Sequence, residues 1–188
     1  MAVLREAYVY ATSHMLDEGI TAVDVVEHVV MLLENDPLFN AGKGSVFTHT
    51  GTNELEASIM DGRDLRCGAA SMLTTIKNPV CLARVVMDHT QHVCMVGQGA
   101  ERLAEMHGLD TVRADYFYTE RRHQQLLHAQ QTPSTVNTSS HSHYKDHDID
   151  ISEEASMQES SVPQDTGTVG CVCLYKGNLA AATSTGGD

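Results

Sequence analysis

The sequence contains no tryptophan, and aromatics make up only 5% of its 188 residues. Small and β-branched side chains must therefore fill much of any core. Positive charge is also scarce: 12 Lys and Arg stand against 25 Asp and Glu, a formal net charge of −13. That balance argues against nucleic acid as a partner, because phosphate binding needs a basic surface. It argues equally against an anionic membrane surface. No apolar run approaches the roughly 20 residues that cross a bilayer. Residues 1–18 are amphipathic and charged, without the apolar centre of a signal peptide. The five cysteines, Cys67, Cys81, Cys94, Cys171 and Cys173, are odd in number and form no CxxC pair, which points to free thiols in a reducing compartment. With an ordinary 41% of hydrophobic residues, the chain is expected to be a soluble, cytoplasmic, single-domain protein.

Hydrophobic spacing predicts a helix over residues 2–18, with Leu4, Tyr8, Ala11 and Met15 on one face and Gly19 as terminator. A second helix starts from Thr21, with Asp24 three residues on as a capping-box variant. It buries Val23, Val26, Val30 and Leu33 and ends near Glu34, before Pro37. Residues 37–44 are too rich in Gly and Asn for regular structure. A strand hairpin is expected over about 45–60, and a strand buried on both faces over 67–76. Asn78 and Pro79 supply an N-cap and first turn for a helix to about His89. A short strand from His92 to Val96, a helix from Gln98 to His107 and a helix capped by Thr119 and reaching about Ala129 complete this part.

From about 130 to 165 the chain is rich in Ser, Thr, Gln, His and acidic residues. Such a stretch buries too little apolar surface to offset chain entropy and reads as disordered. Order returns at Thr168, where residues 168–175 and 178–185 read as the arms of a β-hairpin. Its two-residue loop is either Lys176-Gly177, which sets Thr168 opposite Thr185, or Gly177-Asn178, which makes Thr185 a diagonal neighbour. Either register puts the two hydroxyls on one face of the sheet.

Gly167-Thr168-Val169-Gly170, then Gly177-Asn178-Leu179 and Ala182-Thr183-Ser184-Thr185-Gly186-Gly187, resemble the plant-type L-asparaginases, also called isoaspartyl peptidases. The run from Pro37 to Phe47, PLFNAGKGSVF, resembles the same family. So do Leu55-Glu56-Ala57-Ser58-Ile59-Met60-Asp61-Gly62, Asn78-Pro79 and Ala83-Arg84-Val85-Val86-Met87, all in the family's order. This resemblance implies an α+β protein, a four-layer αββα sandwich of the N-terminal nucleophile hydrolases. It implies that the precursor cuts itself between Gly167 and Thr168. Residues 1–129 then belong to an α subunit, 130–167 form a processing tail and 168–188 begin a β subunit, assembled as a dimer of αβ units.

The chemistry that the resemblance implies has a physical basis. A Thr hydroxyl needs a nearby base to become a nucleophile. Once cut, Thr168 carries a free α-amine with a reference pKa of about 8, able to take the hydroxyl proton. The oxygen then attacks the side-chain amide of asparagine or a β-aspartyl dipeptide. Thr185 resembles the family's second active-site Thr. Asn40 matches an Asn that assists processing, or equally a buried Asn that caps a loop. No cofactor is expected for catalysis. In bacterial relatives, backbone carbonyls of the preceding loop bind sodium. The matching positions are Leu33, Glu34, Asp36, Phe39, Ala41 and Lys43, whose alternative reading is a kinked loop.

Three other patterns compete with this reading. His141, His143 and His147 beside Asp146, Asp148 and Asp150 form a cluster that reads as a solvated low-complexity tract rather than a zinc site. Cys171 and Cys173 share a strand face and read as apolar packing. Asp165-Thr166 resembles the cut of the related glycosylasparaginases, but the following Gly-Thr-Val-Gly fits a cut one step later, at Thr168. The chain also departs from the family at both ends. It starts inside the first helix, without the family's opening strand and Gly-rich turn. It stops at Asp188, before the family's substrate-gripping Arg and Asp and its oxyanion Thr and Gly. The 188 residues alone are therefore expected to be inactive. The alternative is a non-catalytic truncated partner of full-length subunits.

Overall fold

A computed structural model describes residues 2–14, 19–131 and 167–187. Helix α1 (Ala2–His14) is followed by α2 (Ala22–Asn35), strands β1 (Leu55–Asp61) and β2 (Arg66–Leu73), helix α3 (Pro79–His89) and strand β3 (Cys94–Val96). Helices α4 (Gly97–Met106) and α5 (Glu120–Gln131) come next, and strands β4 (Val169–Tyr175) and β5 (Asn178–Gly186) close the order. The five strands form one sheet in the order β3-β2-β1-β5-β4, antiparallel except for the β2–β3 pair. The fold is thus a mixed α/β arrangement with helices laid on one face of a sheet.

Helix α2 follows its sequence signals. Thr21 accepts from the Asp24 N–H at 3.2 Å and the Asp24 carboxylate accepts from the Thr21 N–H at 2.8 Å, a complete capping box. Val23, Val26, Val30 and Leu33 are buried as the spacing predicts. They meet Val80, Ala83 and Met87 of α3 above the inward residues of the sheet, Ala57, Ile59, Val169, Cys173, Ala180 and Ala182. A second cluster joins Leu55, Ala70 and Leu73 to Leu82, Ala100, Ala104 and Phe117. Strand β1 alternates buried and exposed positions along its whole length, so one face is core and the other open.

Three expectations change. Helix α1 buries Val3 and Ala7, while Leu4 and Tyr8 face outward; it docks on α2 through a neighbouring stripe, with Tyr10 stacked on His28 at 3.5 Å between centroids. Met15 lies outside the described residues. Residues 45–48 form no strand, because both edges of β1 are already taken, by β2 and β5. The hairpin is β1–β2. Segment 45–46 is instead held by the Asn53 amide, which donates to the Ser45 and Val46 carbonyls and to Ser45 Oγ. Strand β2 buries only one face: Gly68, Ala70 and Leu73 point inward while Met72 is exposed. Leu55 pairs with Leu73 and Ala57 with Ala70, so Ser71 and Met72 together oppose Glu56 in a β-bulge, and Met72 takes φ of 55°.

The remaining elements begin and end close to expectation, with α5 running to Gln131. The tract predicted to be disordered lies, beyond that helix, outside the described residues. No helix among the described residues is long and apolar enough to cross a membrane.

Candidate active site

The β4–β5 hairpin turns through Lys176 and Gly177, with φ of 47° and 77°. Two consecutive left-handed residues match the twist of the flanking strands and favour Gly at the second position. This selects the first of the two registers. Val169 pairs with Ser184 and Gly170 with Thr183, and one further step sets Thr168 opposite Thr185. Val169 is buried and anchors the strand start, leaving Thr168 exposed and Thr185 half-buried on the open sheet face. Thr185 Oγ1 donates a hydrogen bond to the Gly167 carbonyl at 3.3 Å. The structure therefore brings Gly167, Thr168 and Thr185 together, with a hydroxyl donor on the carbonyl of the peptide bond that joins Gly167 to Thr168.

The same transverse row continues beyond the hairpin. Glu56 of β1 pairs directly with Thr185 and is exposed on the same face. Ser71 Oγ donates to Glu56 Oε2 at 3.0 Å, brought there by the β2 bulge. In the next row Ser58 and Thr183 share a hydrogen bond of 2.8 Å. Sequence reasoning missed Glu56 as a site residue, because it reads simply as the polar member of an alternating strand.

Glu34 lies behind the hairpin, on the core side. Its side chain is fully buried, where Oε1 accepts from the Val80 N–H at 2.9 Å and Oε2 from Asn78 Nδ2 at 3.1 Å. Asn78 thus makes no side-chain cap for its own helix, and Glu34 caps α3 from a different element. Burial pushes its carboxyl up from 4.5 to about 7, against the opposing pull of hydrogen bonds from Ser184, Val80 and Asn78. Spacing gave a hint of this burial, since Glu34 is four residues beyond the buried Val30.

A raised carboxyl pKa means that the folded state holds a proton which the unfolded chain releases. The resulting stability is fully present below about pH 4.5 and is lost as pH rises through about 7. At about 1.4 kcal/mol per pH unit, the loss is roughly 3 kcal/mol. Urea unfolding of the chain and its Glu34→Gln variant, both carrying Thr168→Ala to keep them uncut, should show their stability difference shifting by about 2–3 kcal/mol between pH 5 and pH 8. Parallel pH profiles would contradict the buried acid.

Asn40 is buried and its Oδ1 accepts from the Val46 N–H at 2.9 Å, which is the loop-capping contact. Val46 in turn packs against Gly187, and Ser45 against Gly186, so this loop abuts the end of β5 two residues past Thr185. Arg122 of α5, also fully buried, donates from Nε to the Gly44 carbonyl at 2.7 Å and fixes the same loop.

Of the carbonyls matched to a sodium loop, that of Leu33 accepts from Asp36 N, that of Asp36 from Phe39 N and that of Ala41 from Gly44 N. The Glu34 carbonyl oxygen occupies the space that a Cβ on Gly42 would need, and the Phe39 and Pro37 carbonyl oxygens the space that one on Gly44 would need. The loop thus concentrates backbone oxygens, which are hard donors of the kind sodium takes. Cys171 and Cys173 pack against the α2 core, and burial raises both thiols. The histidine and aspartate cluster at 141–150 and the pair Asp165-Thr166 lie outside the described residues.

The sequence profile of the asparaginase family matches residues 2–188. The chain is 44% identical to the isoaspartyl peptidase of Escherichia coli K12, over 96% of this chain and 52% of that protein. It is 43% identical to the isoaspartyl peptidase of Salmonella typhimurium, over 92% and 50%. It is 44% identical to the isoaspartyl peptidase/L-asparaginase of Mus musculus, over 92% and 47%. The chain spans about half the length of these curated relatives.

Proposed function

The chain belongs to the asparaginase family, and from that membership we propose that it is the self-cleaving part of a threonine amidohydrolase that converts L-asparagine to L-aspartate and ammonia and cleaves β-aspartyl dipeptides. The observation that carries the reading is the hydrogen bond from Thr185 to the Gly167 carbonyl beside the exposed Thr168. The names of the relatives, isoaspartyl peptidase and L-asparaginase, support the substrate class.

Thr185 polarises the Gly167 carbonyl; Thr168 Oγ1 adds to that carbon, its proton passes to the Thr168 nitrogen, and the bond between that carbon and nitrogen breaks. This gives an ester and a free α-amine; water then hydrolyses the ester. In the cut protein the amine takes the Thr168 hydroxyl proton, and the oxygen attacks the substrate amide carbon. Ammonia, or an amine, leaves with that proton, and water releases aspartate from the acyl-enzyme. Residues upstream of Thr168 form an α piece and those from Thr168 onward a β piece, paired as αβ units in a dimer.

The open sheet face supports the four-layer αββα architecture. Val172, Leu174 and Leu179 are 70%, 67% and 50% exposed there, a surface suited to a second sheet. The five free thiols fit a cytoplasmic setting. The carbonyls of Leu33, Glu34, Asp36, Phe39, Ala41 and Lys43 would hold a sodium ion that stiffens the loop beneath Asn40, with no catalytic role. A site held at ten times its Kd adds about 1.4 kcal/mol, so replacing sodium by tetramethylammonium should lower Tm by about 3–5 °C. An unchanged Tm would speak for an ion-free loop.

The reading is tested on the complete gene product. Intact mass should show two pieces, the second beginning Thr-Val-Gly, and the split protein should release ammonia from asparagine. A chain that stays whole would overturn it.

A further inference from the structure

The polar row on the open sheet face contains one ionisable side chain beside the threonine pair. Along β1 the outward residues are Glu56, Ser58 and Met60, so only Glu56 brings charge to that face of the strand. It stands directly across the antiparallel pairing from Thr185. Opposed residues in such a pair have Cβ atoms about 4.5–5.5 Å apart, close enough for a glutamate and a threonine to meet. The β2 bulge supplies a second support, for it places Ser71 opposite Glu56, and the Ser71 hydroxyl donates to Oε2 at 3.0 Å. The carboxylate is therefore held from the far side, with lone pairs remaining for another donor.

A hydroxyl has one proton to donate and two lone pairs. In the uncut chain the Thr185 proton is committed to the Gly167 carbonyl. Cutting removes that acceptor and frees the proton. We infer that Glu56 is a positioning residue that takes the Thr185 hydrogen bond in the cut protein and so turns the Thr185 lone pairs toward Thr168. The inference rests on the proposed role of Thr168.

Two effects follow. Thr185 changes from a donor on the scissile carbonyl to an acceptor for the Thr168 hydroxyl or for the ammonium that forms when the amine takes its proton. The Glu56 charge, one side chain further on, then favours that ammonium. The only proton that moves goes from Thr168 Oγ1 to the Thr168 nitrogen; Thr185 keeps its own, shared in a hydrogen bond with the Glu56 carboxylate. Because the charge develops during reaction, Glu56 acts on kcat more than on KM. The neighbouring Ser58–Thr183 pair has the same geometry but no charge, and offers no such effect.

The test compares Glu56→Asp, Glu56→Gln and Glu56→Ala with the wild type and Thr168→Ala in the complete gene product. Splitting is followed by intact mass, and kcat and KM by ammonia release from asparagine with fully split protein. Splitting of the Gln variant should stay within about threefold of wild type. Its kcat, and that of the Ala variant, should fall about 10- to 100-fold with KM within about threefold, the scale of a hydrogen bond to a charged group. Glu56→Asp should recover most of the loss. Wild-type kcat in both the Gln and Ala variants overturns the inference, as does an Asp variant no better than Ala. Equal losses in splitting and hydrolysis overturn it too, since they place the role of Glu56 in the precursor. In those cases Thr168 stands. A wild-type protein that neither splits nor releases ammonia overturns the Thr168 reading itself.

Discussion

Thr168→Ala is expected to leave the chain in one piece and to lower ammonia release from asparagine by roughly 10⁴-fold or more, the scale seen when a nucleophile is removed. The same oxygen is assigned both tasks, so one substitution should remove both. In the first task it attacks the carbonyl that Thr185 polarises. In the second it attacks the substrate amide, and the α-amine that activates it exists only after the first. Thr168→Ser keeps the hydroxyl and should therefore split and hydrolyse, more slowly. Thr185→Ala should be intermediate. It removes one donor from a developing oxyanion, about 10²- to 10³-fold in rate, and leaves the nucleophile in place. The ranking wild type, Thr168→Ser, Thr185→Ala, Thr168→Ala is specific to this chemistry. A contaminating protease would cut at a rate that depends on protein concentration; self-cleavage within one chain would not. A Thr168→Ala chain that still splits after Gly167 at the wild-type rate would remove Thr168 from the mechanism.

The parts of this site that were legible in the sequence are those written in local chemistry. The capping box at Thr21 and Asp24 appears where the spacing put it. Helix α3 begins at Pro79 as its Asn-Pro start implies. The hairpin was legible, and its register narrowed to two choices because Gly177 belongs to either loop. Left-handed backbone at both Lys176 and Gly177 decides between them, a property that no residue type at 176 announces. The errors arose where a choice among equivalent local patterns is made by tertiary packing. Helix α1 has two adjacent stripes, and α2 selects the one holding Val3 and Ala7. Residues 45–48 have the composition of a strand, but both sides of β1, the strand they would pair with, are taken by β2 and β5. Glu56 and the Glu34 side chain were missed for a related reason. Each gains meaning only from a partner far along the chain, Thr185 for one and Val80 with Asn78 for the other.

Gly187→Ala is expected to slow splitting about 100-fold, the effect of misplacing a reacting group by about 1 Å, although residue 187 has no part in the chemistry. Gly187 adopts φ of +72°, which a Cβ makes unfavourable by about 1–2 kcal/mol. Its Cβ would also point at Val46, 2.6 Å from the carbonyl oxygen. Val46 has little freedom to retreat. Its N–H is held by Asn40 Oδ1, its carbonyl by the Asn53 amide, and the loop just before it by Arg122 at Gly44. The end of β5 must therefore peel away, giving up the hydrogen bond from Gly187 N to the Glu54 carbonyl at 2.8 Å. Thr185, two residues back, would be drawn off the Gly167 carbonyl. Strain and overlap together cost about 2–4 kcal/mol, or about 5–15 °C in Tm for a domain of this size. Gly99→Ala is the control: it sits in helix α4, where a Cβ meets nothing within 4 Å. It should be neutral or stabilising by about 0.5–1 kcal/mol and should split normally. If Gly187→Ala matches that control in both Tm and splitting, the strand end is not clamped by the loop. Thr185 would then owe its position to the β1–β5 pairing alone.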